Sequence, residues 1–240
     1  MKRRHIQLVD SDGNDAGPIE RPAKIAIAVP THEMVPATFA FDLANLLSWT
    51  SAQVPPEVEV ATTYVAGTYV HRARQDILDY LLSLDVTHIL WLDSDMRFPR
   101  EALLHLMSHD LDFVGINYAQ RTSPPDFVGI KRMGGIDDAG ERLVTNTDST
   151  GLESVDALGF GCFMMRTSAL ARFPEDAPWF WYDLLPDGRH IGEDVYFCRL
   201  AREAGYEIYC DHDLSHLCSH TGSFDYRCGH AETMTNEGVV

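Results

Sequence analysis

The sequence predicts an α/β fold with a mostly parallel central sheet flanked by helices. In the first half of the chain, short apolar segments typical of buried strands alternate with segments whose apolar residues recur every three or four positions. Strands and helices in regular alternation imply a parallel sheet with helices on its faces. In the second half this alternation ends, which predicts a mixed and more irregular C-terminal half.

The first half of the chain contains four predicted strands and three predicted helices. The strands are predicted at 24–29, 57–63, 87–92 and 111–116, and the helices at 36–51, 69–84 and 100–108. Proline at position 36 suits the first turn of a helix. In the second helix, Val70, Ala73 and Ile77 lie on one face because of their spacing. The strand at 87–92 contains a continuous apolar run from Ile89 to Leu92, so we expect it to lie in the centre of the sheet.

The second half has weaker patterns. Residues 117–150 are rich in Pro, Gly and Asp, which predicts loops and short hairpins. The segments 152–157 and 160–165 are predicted to be strands that pair with each other around Gly159. A helix at 193–204 and a strand at 206–210 follow. The prediction therefore comprises a flexible N-terminal arm at 1–23, a single domain at 24–222 and a C-terminal tail at 223–240.

The charge of the chain limits the partners that it can bind. The sequence has 19 basic and 36 acidic residues, a net charge of −17. Broad binding to nucleic acid depends on basic residues that neutralise phosphates, so this class of function is disfavoured. The same acidity opposes the binding of an anionic nucleotide. Such a ligand would need a metal ion or a well-placed arginine.

The chain has no segment that predicts membrane insertion. No apolar run approaches the ~20 residues that span a bilayer. The basic start is followed by Asp10, Asp12 and Asp15, where a signal peptide requires an apolar stretch. We therefore expect a cytoplasmic protein, and we expect its five cysteines to be free thiols.

Two aspartates directly follow the buried strand at 87–92. Asp93 and Asp95 flank Ser94, at the end of the strand where open α/β sheets bind ligands. Two carboxylates at this spacing repel each other unless a cation lies between them, and oxygen ligands suit Mg²⁺ or Mn²⁺. A metal that also coordinates a diphosphate would offset the acidity of the chain. The sequence therefore predicts a metal site here.

The same spacing occurs at two other places. Asp10-Ser-Asp12 lies in the polar arm and is followed by Gly13-Asn14, which favours a solvated turn. Asp211-His-Asp213 follows a predicted strand and is the stronger competitor for the metal. Only Asp93 and Asp95 follow a strand that is apolar on both faces.

Five short segments between residues 24 and 222 carry further motifs. They are Ala28-Val-Pro-Thr31, Ala73-Arg74-Gln75, the segment 89–99 around the two aspartates, Gly192-Glu-Asp-Val-Tyr-Phe197 and His220-Thr-Gly222. In this order they resemble the motifs of GT-A glycosyltransferases, in particular glycosyltransferase family 2 and related bacterial and phage enzymes. The chain departs from the family at Gln75, where the family has Asn.

The resemblance implies a GT-A fold and a metal-dependent glycosyltransferase, with inversion of configuration. The donor would be a nucleotide-sugar, such as a UDP-sugar or a GDP-sugar. The residues implied in donor binding are Pro30, Thr31, Glu33, Arg74, Asp93 and Ser94, and those implied as ligands of Mn²⁺ or Mg²⁺ are Asp93, Asp95 and His220. Turn residues are the alternative for Thr31 and Glu33, and a solvated arginine on the polar face of the helix is the alternative for Arg74.

The resemblance also implies that Asp194 is the catalytic base and that Glu193 is a neighbouring acceptor or structural contact. An inverting transfer needs a base that takes the proton of the acceptor hydroxyl, and a carboxylate suits this role. The alternative is structural, because acidic residues in the first turn of a helix are favoured by the helix dipole.

The last quarter of the chain and two further segments leave alternatives open. Four cysteines lie among several histidines, but the Cys and His positions are interleaved, without the tight Cys pairs of structural zinc sites. Participation of His220 in the catalytic metal site is favoured over a separate zinc site. The aromatic run 179–182 would either stack on a sugar or lie in the core. The segment 159–163 would either line the acceptor pocket or provide close backbone packing.

Two other functions remain possible from the sequence. A nucleotidyltransferase would also bind a nucleotide and a metal, but Val29-Pro-Thr-His-Glu33 lacks the glycines of a phosphate loop. A sugar- or nucleotide-binding module with a structural metal would need no base at Asp194. The acceptor is open between a polysaccharide, a lipid carrier, a protein and a modified base in DNA, the last being disfavoured by the acidity.

Overall fold

The computed structural model describes residues 6–9, 15–19, 23–32, 34–67, 69–133, 140–184, 188, 190–222 and 225–229. Its strands are β1 (Ile6–Val9), β2 (Asp15–Ile19), β3 (Lys24–Thr31), β4 (Glu59–Ala66), β5 (His88–Leu92), β6 (Met96–Arg97), β7 (Phe113–Gly115), β8 (Ile130–Arg132), β9 (Glu141–Arg142), β10 (Leu152–Val155), β11 (Cys162–Arg166), β12 (Asp183–Leu184), β13 (His190–Ile191), β14 (Ile208–Asp211), β15 (Ser219–Thr221) and β16 (Asp225–Tyr226). Its α-helices are α1 (Ala37–Gln53), α2 (Val70–Leu82), α3 (Ala102–Ser108), α4 (Glu193–Glu203) and α5 (His212–Leu217), and a 3₁₀ helix covers Thr167–Arg172.

A seven-stranded sheet with the order β10-β14-β7-β11-β5-β3-β4 forms the centre of the domain. Strands β4, β3, β5, β7 and β14 run in one direction, and β11 and β10 run in the opposite direction. The prediction of a mostly parallel sheet is therefore confirmed. Strand β5 lies between β3 and β11, inside the sheet, as its continuous apolar sequence indicates.

The sheet separates two hydrophobic cores because successive side chains of a strand point to opposite faces. Ile25 and Ile27 of β3 pack with residues of α1 and α3 on one face. Ala26 and Ala28 pack with residues of α2 and α4 on the other face. The result is a three-layer arrangement, with helices on both faces of the sheet.

The predicted pairing of the strands around Gly159 is wrong. Strand β10 pairs with β14, and β11 lies between β5 and β7, antiparallel to both. The physical reason is burial. The first four residues of β11 are buried, whereas β10 is largely accessible and lies at the edge of the sheet. A strand that is apolar on both faces is most stable in the middle of a sheet, whatever precedes it in the chain.

Segments at both ends of the chain add small sheets. Within residues 1–23, β1 and β2 form an antiparallel pair, and β15 pairs with both β6 and β16. All five cysteines are buried and free, as predicted. None of the helices in the described part of the chain combines the length and the apolar character that crossing a bilayer requires.

Candidate active site

A cavity of about 360 Å³ lies at the edge of the sheet where β3 and β5 end. The carboxyl ends of parallel strands meet at the same edge, so this is the expected place for a ligand. The predicted site residues that line the cavity are Pro30, Thr31, Arg74, Asp93, Ser94, Asp95, Glu193, Asp194 and His220. The structure thus brings together every predicted site residue that it describes. Glu33 lies outside the described residues.

Arg74 connects three elements of the site. Its Nη2 atom donates to Asp93 Oδ1 at 2.7 Å, and its Nε atom donates to Glu193 Oε1 at 3.2 Å. The guanidinium lies over the rings of Trp91 and Phe160, at 5.7 Å and 5.2 Å from their centroids. Burial would lower the pKa of Arg74, but the carboxylates of Asp93 and Glu193 raise it above its ordinary value. The arginine is therefore charged in its buried position.

The alternative of a solvated Arg74 is wrong, because the side chain is only 2% exposed. Helix α2 turns this position toward the sheet between Ala73 and Ile77, which are buried too. Its Nη1 atom is buried and has no hydrogen-bond partner among the described residues. A ligand in the cavity could therefore accept a hydrogen bond from Nη1, provided that a small movement exposes this group.

We expect Arg74→Met to lower the free energy of unfolding by about 3 kcal/mol, because it leaves two carboxylates without their counter-charge. This value is the lower end of the range for a broken buried pair, since the Asp93 side chain is 27% exposed. Urea denaturation followed by circular dichroism measures the change. Arg72→Met on the same helix is the matched control, since Arg72 forms an exposed pair with Asp76, and it should change stability by less than about 0.5 kcal/mol. Equal losses in the two variants would contradict a structural role of the Arg74 pairs.

Asp95 has a different environment from Asp93. Its Oδ2 atom is 2.8 Å from Arg121 Nη2, and its Oδ1 atom is 3.3 Å from His220 Nε2. Burial would raise the pKa of Asp95, but His220 and Arg121 hold it below its ordinary value. For Asp93, burial outweighs Arg74 and raises the pKa. Asp95 is therefore ionised more readily than Asp93.

The orientation of His220 suits a metal ligand. Its Nδ1 atom lies 3.2 Å from the carbonyl oxygen of Ala119, which can only accept a hydrogen bond. A neutral imidazole would therefore carry its proton on Nδ1 and turn the lone pair of Nε2 toward Asp95 Oδ1, whereas a protonated one donates from Nε2 to Asp95. Two acceptor atoms 3.3 Å apart need a proton or a cation between them. A second hydrogen bond that fixes the ring in this way is typical of histidines that bind metals.

Asp194 and Glu193 have separate roles in the first turn of α4. Glu193 is buried and is paired with Arg74. Asp194 Oδ1 accepts a hydrogen bond of 2.7 Å from the backbone N–H of Val195, so part of its position is explained by the helix terminus. Burial, followed by the charge of Glu193, raises the pKa of Asp194 to about 7. A carboxylate with this pKa is suited to accept a proton near neutral pH.

A second cavity of about 690 Å³ adjoins the first one. Three residues line both cavities, namely Arg121, Asp194 and His220. Tyr118 lines the second cavity, and its hydroxyl accepts a hydrogen bond of 3.2 Å from the backbone N–H of Gly161. Asp194 therefore stands at the boundary where a molecule in one cavity can reach a molecule in the other.

The glycines at 159 and 161 explain how Tyr118 fits beside the sheet. A Cβ atom at Gly159 would lie 2.4 Å from the Tyr118 hydroxyl, and one at Gly161 would lie 2.7 Å from Tyr118 Cζ. The close-packing explanation for this segment is thus supported by contacts. This close packing also brings Tyr118 to the wall of the second cavity.

The aromatic run 179–182 is divided between the core and the site. Phe180 is fully buried, and the Trp179 indole donates to the carbonyl of Pro174. Trp181 and Tyr182 are about half exposed, and each packs edge to face with the His71 ring. Of these four aromatic residues, only Tyr182 lines the smaller cavity.

Arg121 and Tyr118 are two of the cavity-lining residues that the sequence did not predict. Both lie just before or within a region rich in Pro and Gly, where no periodicity indicates which side chains point inward. Arg121 contacts Asp95 in space but is 26 positions away from it along the chain, so no local pattern connects the two residues. Only the fold brings Arg121 to Asp95.

The Asp211-His-Asp213 motif and the cysteines of the tail lie outside the candidate active site. Asp211 accepts from the backbone N–H of Leu214 at the start of α5, and Asp213 accepts from that of Gly151. Neither lines the two cavities described above. His216 donates to the carbonyl oxygen of Ser149. Within the described residues, the cysteines and histidines of the tail do not form a group with metal-binding distances.

Comparisons with known proteins address the fold. No family model matches the chain, and no curated protein matches it. Among solved structures, A197 from STIV matches with a TM-score of 0.52 at 17% sequence identity, over 83% of this chain and 86% of that chain. Residues 1–349 of TarS from S. aureus match with a TM-score of 0.35 at 14% identity, over 74% of this chain and 55% of that chain. At 17% identity the match to A197 shows a likeness of fold alone: the chain has a GT-A-like α/β fold.

Proposed function

We propose that this chain is a metal-dependent glycosyltransferase that moves a sugar from a nucleotide-sugar donor to an acceptor hydroxyl, with inversion of configuration. One observation carries the proposal. Arg74, Asp93, Asp95 and His220 converge on one cavity, and Asp194, with a pKa raised to about 7, stands where this cavity meets a second one. A donor site, an acceptor site and a base between them are the parts that a glycosyl transfer needs.

The proposed metal ligands fit a divalent cation once Asp93 moves closer. Asp95 and His220 are already adjacent, but the ligand atoms of all three residues do not lie within 4.8 Å of one another. Asp95 and His220 offer an oxygen and a nitrogen 3.3 Å apart, and Asp93 adds a second carboxylate at the same cavity. Oxygen ligands suit both Mg²⁺ and Mn²⁺, and an imidazole nitrogen favours Mn²⁺. When bound, the cation would supply positive charge to the diphosphate of a UDP-sugar or GDP-sugar.

Two arginines add positive charge at the proposed donor cavity. Arg121 lies in contact with Asp95 at the boundary of the two cavities, and Arg74 is buried next to Asp93. In a chain with a net charge of −17, these side chains provide the local positive charge that an anionic donor requires. Pro30, Thr31 and Ser94 line the same cavity and would contact the nucleotide.

The proposed reaction is a single displacement. The acceptor hydroxyl enters from the larger cavity and gives its proton to Asp194 as its oxygen attacks the anomeric carbon. The bond between this carbon and the phosphate oxygen breaks, and the nucleoside diphosphate leaves with the electron pair. Attack on the face opposite the leaving group inverts the configuration at the anomeric carbon. Glu193 holds Arg74 in place and thereby stays out of the proton transfer.

Thermal denaturation with a panel of nucleotide-sugars and Mn²⁺ tests the proposal. A true donor at a hundredfold excess over its Kd should stabilise the protein by about 2.7 kcal/mol, and the shift should require the metal. Slow release of a nucleoside diphosphate from that donor should follow, since water can replace the acceptor. Release of pyrophosphate from a nucleoside triphosphate would instead indicate a nucleotidyltransferase. Binding without any turnover would indicate a binding module, and no shift with any donor would sink the proposal.

A further inference from the structure

A second group of metal-ligating side chains lies away from both cavities. In the part of the chain that the structure describes, it is the one group of three such residues whose ligand atoms all lie within 4.8 Å of one another: His105, His109 and Asp211. None of the three lines the cavities of the candidate active site. We propose that this group, termed the α3 histidine site, binds a transition-metal ion such as Zn²⁺.

The site has the geometry of a preformed ligand set. Helix α3 and its C-cap place His105 and His109 four positions apart, on one face. The Nε2 atom of each ring lies 2.7 Å from the same oxygen, Asp211 Oδ2. The two rings meet edge to face at an angle of 87°, with 5.3 Å between their centroids. Two nitrogens and one oxygen therefore point to a common position.

The carboxylate is already fixed in its orientation. The Asp211 side chain is 2% exposed, and its Oδ1 atom accepts a 2.8 Å hydrogen bond from the backbone N–H of Leu214. Oδ2 thus remains for the histidines, or for a metal that both histidines share. Ligating carboxylates are commonly held by such a second hydrogen bond. The imidazoles, which are 30% and 22% exposed, leave access for an ion from solvent.

Only a small movement separates the observed arrangement from a metal site. Zinc binds imidazole nitrogen and carboxylate oxygen at about 2.0–2.2 Å, so two ligands of a tetrahedral ion lie roughly 3.3 Å apart. The observed separations of 2.7 Å would open by roughly 0.6 Å. Each histidine would then carry its proton on Nδ1 and bind through Nε2. Water would complete the shell.

The ligand types select the class of ion. Two imidazoles and one carboxylate suit Zn²⁺ and its neighbours among the divalent transition metals, whereas Mg²⁺ prefers oxygen ligands and its own water shell. The bound ion would connect the C-terminal end of α3 to the junction of β14 and α5. Because this junction is 106 positions from His105 along the chain, the expected effect is stabilisation of the fold. The inference does not depend on the proposed glycosyl transfer.

Titration with Zn²⁺ alone, in the absence of any nucleotide, tests the site. We expect the metal-free full chain to bind one equivalent of Zn²⁺ that raises its melting temperature. His105→Gln/His109→Gln should weaken the binding of this equivalent by roughly two orders of magnitude or more, because two of three protein ligands are lost. X-ray absorption of the zinc complex should show two imidazole ligands. His216→Gln, an exposed histidine of α5, is the matched control and should bind zinc as the wild type does.

Three outcomes would overturn the inference. The wild type could bind zinc no more tightly than the double variant does, or the bound zinc could lack two imidazole ligands. The third outcome is loss of zinc binding in His220→Gln. The last result would place the ion at the candidate active site. If the double variant fails to fold without metal, Asp211→Asn takes its place. It retains an oxygen that can cap α5, so loss of zinc binding in a folded Asp211→Asn supports the site, and unchanged binding contradicts it.

Discussion

Replacing Asp194 by Asn is expected to lower the rate of glycosyl transfer by ~10²–10⁴, the usual contribution of a positioned base. The amide has nearly the same shape and can still accept the hydrogen bond from Val195 N–H, but it cannot take a proton. Donor affinity should stay near the wild-type value, because the proposed metal ligands are Asp93, Asp95 and His220. Single-turnover kinetics with a saturating donor separates these two effects.

Glu193→Gln is the control beside Asp194. It removes the charge that pairs with Arg74 and that raises the pKa of Asp194, so it should lower stability and shift the pH dependence of transfer, with the proton acceptor still in place. The configuration of the product, determined by NMR from a donor of known anomeric configuration, provides an independent measurement. Near-normal transfer by Asp194→Asn, or a product with retained configuration, would falsify the role of Asp194 as the base of an inverting reaction. Glu193 would then become the leading candidate.

The raised pKa of Asp194 also predicts the pH dependence of transfer and of stability. A base with a pKa of about 7 is protonated at lower pH, so kcat/KM should fall as the pH falls through 7. The pKa in the folded state lies above the ordinary carboxyl value. The free energy of unfolding of the wild type therefore falls as the pH rises from that ordinary value toward 7. Asp194→Asn should therefore melt at a higher temperature than the wild type at pH 8, with a smaller difference at pH 4. A difference that is independent of pH would contradict the raised pKa.

Asp93→Asn and Asp95→Asn are expected to abolish the stabilisation that Mn²⁺ and a nucleotide-sugar produce together. Each change removes a charged ligand from the proposed metal site. Asparagine is preferred to alanine because its amide oxygen can still accept the hydrogen bond from Arg74 or Arg121. The thermal shift measures donor binding, which contributes RT ln(1+[L]/Kd) to stability. An unchanged shift in both variants would contradict the metal assignment.

Two comparisons make this experiment specific. Asp10→Ala changes the same tripeptide motif in the predicted arm, and it should leave the shift unchanged. His220→Ala should weaken metal-dependent donor binding more than His216→Ala does, because His220 lies next to Asp95 whereas His216 contacts the backbone of Ser149. The reverse order would show that the wrong histidine was assigned.

The sequence by itself determined the order of the seven strands of the central sheet along the chain and the edge of that sheet where the candidate site lies. Both depend on local patterns. The continuous apolar segment before Asp93 predicts a buried strand, and the carboxyl end of such a strand is a place where ligands bind. In the same way, the spacing of apolar residues predicts the extent of α2, which runs from Val70 to Leu82. The identities of the metal, the donor and the acceptor are still predictions.

Only the tertiary structure decided which side chains act on each other. Arg74 and Glu193 are 119 positions apart along the chain and form one ion pair. Arg121 approaches Asp95 from a loop without periodicity, and β11 enters the sheet between β5 and β7 rather than beside β10. Such contacts depend on how the buried faces of distant segments fit together, whereas a sequence pattern reports only the burial of neighbouring residues.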